Sequence, residues 1–462
     1  MITSRAWAGG RYGVYGLARS GAATVEALLA SGAEVVAWDE DEGRRDQILP
    51  GTGRGTAEGG GGGAEPGGFL IESAQVASPL HHASHGPPPR SGEELELADL
   101  LTYDLSTLDA LVASPGVPLN THPLASHARE AGVPVIGDIE LFAQARTDLP
   151  PHKVVGITGT NGKSTTTALV HHILRTAGVP TTMGGNIGLP ILAQEPLSEG
   201  GVYVLELSSY QIDLTRSLAC DVAVLLNITP DHLDRYGSFE AYAASKRRLF
   251  AMQGPEGIAI GGHDEALSGE QLIEIDTAPL VERQRHWPAL QGPHNAANAA
   301  AAIAVAASLG VSPQATEAAL RSFPGLPHRM ELVGTHRGVR FVNDSKATNP
   351  EAAAPALAAF EGVHWILGGQ AKSPDLTPCE PHYAHVRHAY LIGEAAPVFQ
   401  QLLAGQVPVS DCGGLEAAVS EAAGRAKPGD TVLLSPACAS FDQFRDFEDR
   451  GDRFRALVGA LA

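Results

Sequence analysis

Residues 154–165 read Val154-Val155-Gly156-Ile157-Thr158-Gly159-Thr160-Asn161-Gly162-Lys163-Ser164-Thr165. A short apolar run passes into a glycine-rich turn, and a helical stretch begins at about Ser164. Glycines let backbone N–H groups crowd around phosphate oxygens, and the following helix presents the positive end of its dipole. Lys163 adds a point charge for β- and γ-phosphates, and the Ser164 hydroxyl can ligate Mg²⁺. The loop is a variant, because the strict G-x-x-x-x-G-K-[ST] spacing needs glycine where Ile157 stands. The strand before it and the helix after it separate it from a chance Gly-Lys-Ser at a helix start. Residues 159–165 (Gly159, Thr160, Asn161, Gly162, Lys163, Ser164, Thr165) are therefore the expected nucleotide loop.

Downstream, strands at 202–207 and 222–227 and a helix at 297–309 continue the alternation. That pattern implies a parallel sheet covered on both faces. Ligands bind at the carboxyl ends of such strands. Glu206 sits at one of those ends, where a carboxylate can hold Mg²⁺ opposite the loop; a charge within an apolar strand is otherwise costly. His232, in Asn227-Ile228-Thr229-Pro230-Asp231-His232, follows the next strand and can ligate metal or contact substrate. Lys246 lies in a helical segment, 239–250, beside Arg247 and Arg248, and composition alone reads it as part of a solvated basic face. Asn295 and Asn298, after His294, share a helix face and can read a purine edge; capping by Asn295 explains only one of the two.

The last third, from a boundary near Phe323-Pro324-Gly325-Leu326-Pro327, repeats the pattern with strands at 363–367, 389–392 and 431–434. Polar clusters follow its strands: His328-Arg329 before Asn343-Asp344-Ser345-Lys346-Ala347-Thr348-Asn349, then Gly368-Gly369-Gln370-Ala371-Lys372, then Ser435-Pro436-Ala437-Cys438-Ala439-Ser440-Phe441-Asp442-Gln443-Phe444. Together they suggest a second ligand crevice. The first 150 residues hold a strand at 12–15, the turn Gly16-Leu17-Ala18-Arg19-Ser20-Gly21, a helix to Ala30, and a strand at 34–38 ending in Asp39. This resembles a dinucleotide fingerprint but lacks its G-x-G-x-x-G spacing, so a βαβ unit without nucleotide stays open.

The chain has 462 residues, 44% of them apolar, which suits about three domains. Its net charge of −20 disfavours nucleic acid and directs attention to isolated cations and helix N-termini. Four dispersed cysteines without a C-x-x-C pair suit a reducing cytosol. No basic-then-apolar leader is expected at the start, and no apolar run reaches the roughly 18 residues that span a bilayer. Residues 51–68 and 81–95 are low in complexity and too polar to bury a core. A short strand at 69–71 is expected between them, and His81, His82 and His85 read as loop residues. A strand at 108–113 closes on Ser114-Pro115-Gly116.

Taken together, T-G-T-N-G-K-S-T, N-D-S-K-A-T-N and L-S-P-A-C-A-S-F-D-Q-F resemble the Mur ligases over nearly the whole chain. The last motif, with Ser114-Pro115-Gly116 and Ile136-Gly137-Asp138-Ile139-Glu140, resembles the D-glutamate-adding branch. The resemblance implies an α/β enzyme of three domains: a Rossmann-like UDP-substrate domain at 1–151 enlarged by an insertion at about 51–95, a central P-loop ATPase domain at 152–325, and a Rossmann-like C-terminal domain at 326–462. It implies a cytoplasmic, monomeric ATP-dependent ligase that joins D-glutamate to UDP-N-acetylmuramoyl-L-alanine through an acyl phosphate, in cell-wall synthesis.

By motif, Lys163 and Ser164 would hold phosphates and Mg²⁺, and Glu206 the same metal. His232 and Lys246 would serve a second Mg²⁺, with Lys246 matching the lysine that the family carbamylates. Asn298, Arg329 and Asp344 would contact the nucleotide. Arg19, Ser20, Asp39, Gly116, Asn186 and Gln211 would line the UDP-sugar site. Lys346, Thr348, Lys372, Ser440, Phe441 and Phe447 would receive D-glutamate. Asp41 departs from the pattern, standing where some members carry a basic residue near the uracil. Sister Mur ligases, a folylpolyglutamate synthase-like ligase and a nucleotide-binding regulator without ligase chemistry are the rival readings. A folylpolyglutamate synthase lacks a Rossmann-like first domain, and a regulator has no need of Lys246, Lys372 and the tail cluster together.

Overall fold

A computed structural model describes residues 1–48, 95–262, 272–371 and 375–461. The expected loose segments, the strand at 69–71, the three loop histidines and Lys372 lie outside the described residues, except that Leu95 opens a strand. The rest divides into two compact units: Met1–Asp148 with Pro190–Glu195, and Leu149–Leu189 with Pro196–Ala462.

The first unit is built on a parallel sheet of β1 (Arg11–Tyr15), β2 (Glu34–Trp38), β3 (Leu95–Leu97), β4 (Ala110–Ala113) and β5 (Val135–Ile136), in the order β3-β2-β1-β4-β5. Both faces of β1 and β4 are buried, so these strands are continuous apolar runs and not alternating ones. The helix Arg19–Ala30 follows β1 through the glycine turn. A Cβ on Gly21 would lie 1.8 Å from the Gly16 carbonyl oxygen, so only glycine lets the turn close this tightly.

The second unit carries two sheets. The central one comprises β6 (His152–Thr158), β7 (Thr181–Gly185), β8 (Gly201–Glu206), β9 (Val222–Leu225), β10 (Ile258–Gly261) and β11 (Leu272–Glu274), all parallel, in the order β11-β10-β9-β6-β8-β7. Two helices, Lys163–Thr176 and Pro293–Ser308, share the core over one face. The second is rich in buried alanines, whose small side chains let the helix approach closely. Leu169, Ile173 and Val204 in this core are fully buried, each stabilising the unit by about 1.5–3 kcal/mol.

The third sheet holds β12 (Glu331–His336), β13 (Val339–Asn343), β14 (Val363–Gly368), β15 (Val386–Ile392), β16 (Val409–Gly413) and β17 (Thr431–Leu434), in the order β12-β13-β17-β14-β15-β16. Along β14, Trp365 and Leu367 enter one core while Ile366 enters the other, as the two-residue period of a strand requires. The repeat of the central pattern is not complete, since β12 pairs antiparallel with β13 through a two-residue turn. No helix among the described residues is long and apolar enough to cross a membrane.

Candidate functional site

The phosphate loop leaves the C-terminal end of β6, an interior strand, and opens the helix Lys163–Thr176. Gly162 caps that helix at φ 85°, and a Cβ there would meet Asn298 Oδ1 at 2.2 Å. Asn227, at the end of the neighbouring strand, fixes the loop from the side. Its Oδ1 accepts the Asn161 N–H at 2.9 Å, its Nδ2 donates to the Asn161 carbonyl at 3.0 Å, and its carbonyl accepts the Thr160 N–H.

Two lysines converge on this loop. Lys163 Nζ donates to the carbonyls of Gly159 (2.9 Å) and Thr160 (2.8 Å), and Lys246 Nζ donates to the same Gly159 carbonyl at 2.9 Å. The reading of Lys246 as part of a solvated face is overturned. Its side chain turns inward from the helix Phe239–Ala251, is 1% exposed, and lies 4.6 Å from the centre of the Tyr242 ring. Burial, with Lys163 nearby, pushes its ammonium down to about 7. Burial also lowers Lys163, with Arg329 adding to the effect and Glu206 opposing it.

Glu206 ends β8 and is buried. Asn186 Nδ2 donates to its Oε1 at 3.2 Å, and among the described residues Oε2 has no hydrogen-bond partner. The buried Thr158 hydroxyl, at the end of β6, is likewise unpartnered. A buried carboxylate oxygen left this way costs a few kcal/mol unless a cation completes it. Among the described residues no three His, Cys, Asp or Glu side chains gather into a cage. A single buried carboxylate beside a phosphate loop suits Mg²⁺, which keeps waters and shares phosphate oxygens. His232 is half exposed at φ 52°, close to Asp231, with its ring against Tyr210 and Tyr242.

The last third reaches this site through Arg329, whose Nη2 donates to the Ser164 hydroxyl at 3.1 Å. Burial depresses the guanidinium, which Glu206 and Asp344 oppose. Asp344 accepts the Met330 N–H and the Ser435 hydroxyl, yet burial still carries it up to about 7. A cavity of about 180 Å³ opens here, lined among others by Asn161, Gly162, His294, Asn298, Arg329 and Asp344. Asn298 Nδ2 donates to Asn295 Oδ1, and Asn298 Oδ1 accepts the Thr166 hydroxyl. Asn295 does not cap its helix; it donates back to the Gln291 carbonyl, and Gly292 stands at the cap.

In the first unit Asp39 organises the glycine turn. Its carboxylate accepts the N–H of Leu17 at 2.6 Å and of Asp41 at 2.9 Å, with Arg44 alongside. Burial pushes this carboxyl up, but those donors outweigh it and hold it low. Ser114 closes the other side, donating to the Gly16 carbonyl at 2.6 Å, and Gly116 beyond it is exposed. Arg19 and Ser20 open the helix after the turn. Asp41 caps the helix Glu42–Gln47, from which Arg45 reaches back to the carbonyls of Asp39 and Glu40. In the second unit Gln211 joins a capping box with Ser208.

Residues 157–279 match the Mur ligase middle domain, and residues 328–438 match the Mur ligase glutamate ligase domain. The UDP-N-acetylmuramoylalanine–D-glutamate ligase of Novosphingobium aromaticivorans is 55% identical over 472 residues, covering all of this chain and 97% of its own. Proteins of the same name from Sphingopyxis alaskensis and Zymomonas mobilis are 54% and 51% identical, with all of each chain covered. The chain belongs to the Mur ligase family. The fold of this Mur ligase is also that of a UDP-N-acetylmuramate–alanine ligase from Thermotoga maritima, with a TM-score of 0.55 at 15% identity over 98% of this chain and all of that one. A MurF ligase from the same organism, solved with ADP, gives 0.52 at 18% identity, covering 79% of this chain and all of that one.

Of the described residues of this Mur ligase that are expected to receive the amino acid, Lys346 and Thr348 follow β13, Ser440 and Phe441 follow β17, and Phe447 opens the last helix. Lys346 Nζ lies 3.7 Å from the centre of the Phe447 ring, and Thr348 follows one turn on, its N–H bonded to the Lys346 carbonyl. Ser440 is buried, while Phe441 beside it is 69% exposed. Two residues that touch the loop were not singled out from the sequence, Asn227 and Tyr242. Asn227 stood in a quoted motif, and its place at a strand end was the available signal. Tyr242 sits on the helix Phe239–Ala251 between alanines and shows nothing locally.

Proposed function

We propose that this Mur ligase joins D-glutamate to UDP-N-acetylmuramoyl-L-alanine with hydrolysis of ATP to ADP and phosphate, in the cytoplasm and as a monomer. The observation that carries the reading is the convergence of Lys163 and Arg329 on one phosphate loop, beside a buried carboxylate with an open oxygen. Two cations on the loop, Lys163 at its carbonyls and Arg329 at the Ser164 hydroxyl, form a receptor for a polyanion, and the L-alanine carboxylate is a poor electrophile until phosphate is attached to it. The alanine carboxylate oxygen attacks the γ-phosphorus and ADP leaves. The amine nitrogen of D-glutamate then attacks the acyl carbon, loses a proton, and phosphate departs. Lys163 and Arg329 would hold phosphate oxygens, and positioning with charge neutralisation supplies most of the acceleration.

Glu206 and Ser164 would hold one Mg²⁺, and His232 with Lys246 a second. A bound Mg²⁺ neutralises charge on the transferred phosphoryl group. Lys246 would serve as its carbamate, an anionic oxygen donor, and its depressed ammonium favours the neutral amine that CO₂ requires. The cavity beside Asn298 and Asp344 is the proposed nucleotide site. The turn held by Asp39, with Arg19, Ser20, Gly116, Asn186 and Gln211, is assigned to the UDP-sugar, and Lys346, Thr348, Lys372, Ser440, Phe441 and Phe447 to D-glutamate. The domain limits 1–151, 152–325 and 326–462 belong to the same reading. Phosphate release from ATP tests it, with the muramoyl substrate and a panel of D-glutamate, L-glutamate, L-alanine and a diamino acid. Release is expected with D-glutamate alone, and preference for any other member overturns the assignment.

A further inference from the structure

Arg450 lies on the helix Phe447–Gly459, in the run Phe447-Glu448-Asp449-Arg450-Gly451-Asp452-Arg453, where a charge usually faces water. Instead its side chain is 0% exposed. Its Nε donates to the Ser345 hydroxyl at 2.9 Å and its Nη2 to the Ser345 carbonyl at 2.9 Å. Nη2 also reaches the Cys438 carbonyl at 3.1 Å, and Nη1 the Ala439 carbonyl at 3.3 Å. Ser345 follows β13 and Cys438-Ala439 follow β17, neighbouring strands of the third sheet. A third loop hangs on the same segment, because Gln370, after β14, exchanges both backbone hydrogen bonds with Ala439. One guanidinium thus ties together the strand ends that carry Lys346, Gln370 and Ser440.

Two further observations give this hub a direction. Ser345 relays it, since the hydroxyl that accepts from Arg450 donates to the Phe447 carbonyl at 2.8 Å, and Lys346 covers the Phe447 ring. Every acceptor around Arg450 is neutral, and among the described residues no carboxylate forms an ion pair with it. Burying an unpaired charge is costly, and burial lowers this guanidinium only to about 10, so it remains charged at neutral pH. A lysine has three donors on a compact head and cannot span acceptors fixed for a planar fork.

We propose that Arg450 is a positioning residue for the incoming amino acid, locking the three loops of the third sheet into the arrangement that receives its carboxylates. The inference rests on the reading that this crevice takes D-glutamate. The test uses full-length enzyme with Arg450→Lys, and Arg453→Ala as the control on the outer face of the same helix. Arg450→Lys should raise KM for D-glutamate about 30-fold while KM for ATP and for the muramoyl substrate stays within about threefold. Arg453→Ala should leave all three unchanged. Equal rises in the three constants, or a lower Tm with unchanged KM for D-glutamate, overturn the proposal. If Arg450→Lys does not fold, Ser345→Ala takes its place, with an expected rise of about fivefold in the same constant alone; no rise overturns the proposal. If wild-type enzyme prefers a different amino acid, the functional reading has failed, and Arg450 is judged by KM for that amino acid.

Discussion

Two glycine turns in this molecule follow an interior strand of a parallel sheet and open a helix, yet opposite charges fold back on them. The turn after β6 has two ammonium groups donating to its carbonyls, and a third cation, Arg329, on the Ser164 hydroxyl. The turn after β1 has a carboxylate, Asp39, accepting its Leu17 N–H. In the first unit an anion supplied by the protein occupies a donor that a phosphate loop would present to its ligand. Glycine spacing therefore gives the shape of such a turn, and the residue that folds back on it decides which backbone groups stay open to a ligand.

The largest effect is expected where the cationic turn loses its nearest charge. Lys163→Met should lower kcat by about 10³-fold or more, because on the proposed reading the transferred phosphoryl group would lose a compensating cation. Single-turnover phosphate release checks it, and a drop under tenfold would make the two turns more alike than their charges indicate.

Lys246→Ala should lower turnover by about 10³-fold, with partial recovery on adding acetate or another short carboxylate that occupies the vacant position. Arg247→Ala should stay within about threefold. Turnover near wild type in Lys246→Ala would end the carbamate reading.

Asp39→Asn sharpens the comparison from the other side. Loss of a charged acceptor for Leu17 should raise KM for the muramoyl substrate by about tenfold and leave KM for ATP unchanged. Equal changes in both would deny the acidic turn a separate role.

The smallest effect is in pH dependence. The folded value of Lys246, about 7, lies below its ordinary 10.5, so the stability linked to its neutral form is present above 10.5 and lost as pH falls through about 7. Lys246→Met should therefore gain Tm relative to wild type on going from pH 9.5 to 6.5. A difference constant with pH would mean that the amine titrates as if in water.

The phosphate loop and the strand carrying Glu206 were legible because their chemistry is local: glycines, Lys163 and Ser164 are adjacent in the chain, and a strand end follows from an apolar run. Lys246 and Arg450 were not legible as buried cations. Each stands in a helix among other charges, and whether one side chain turns inward depends on the carbonyls that distant strands bring to it. Asp39 was visible as an acid at the right distance from the glycine turn, but its bond to Leu17 was not. The antiparallel β12 was hidden for another reason, as its half-exposed residues lack the apolar run that marks the other strands.

Lys163, Lys246 and Arg329 lie close enough that Arg329 depresses Lys163 and Lys163 depresses Lys246. Like charges held together in a poorly solvated place repel, so the ligand-free protein is the more fragile form. A polyanion bound at a hundred times its Kd adds about 2.7 kcal/mol to the unfolding free energy by mass action alone. The practical consequence concerns shelf life and proteolysis: a preparation stripped of nucleotide should lose soluble protein first, and a cell short of ATP should degrade this chain sooner than one that is well supplied.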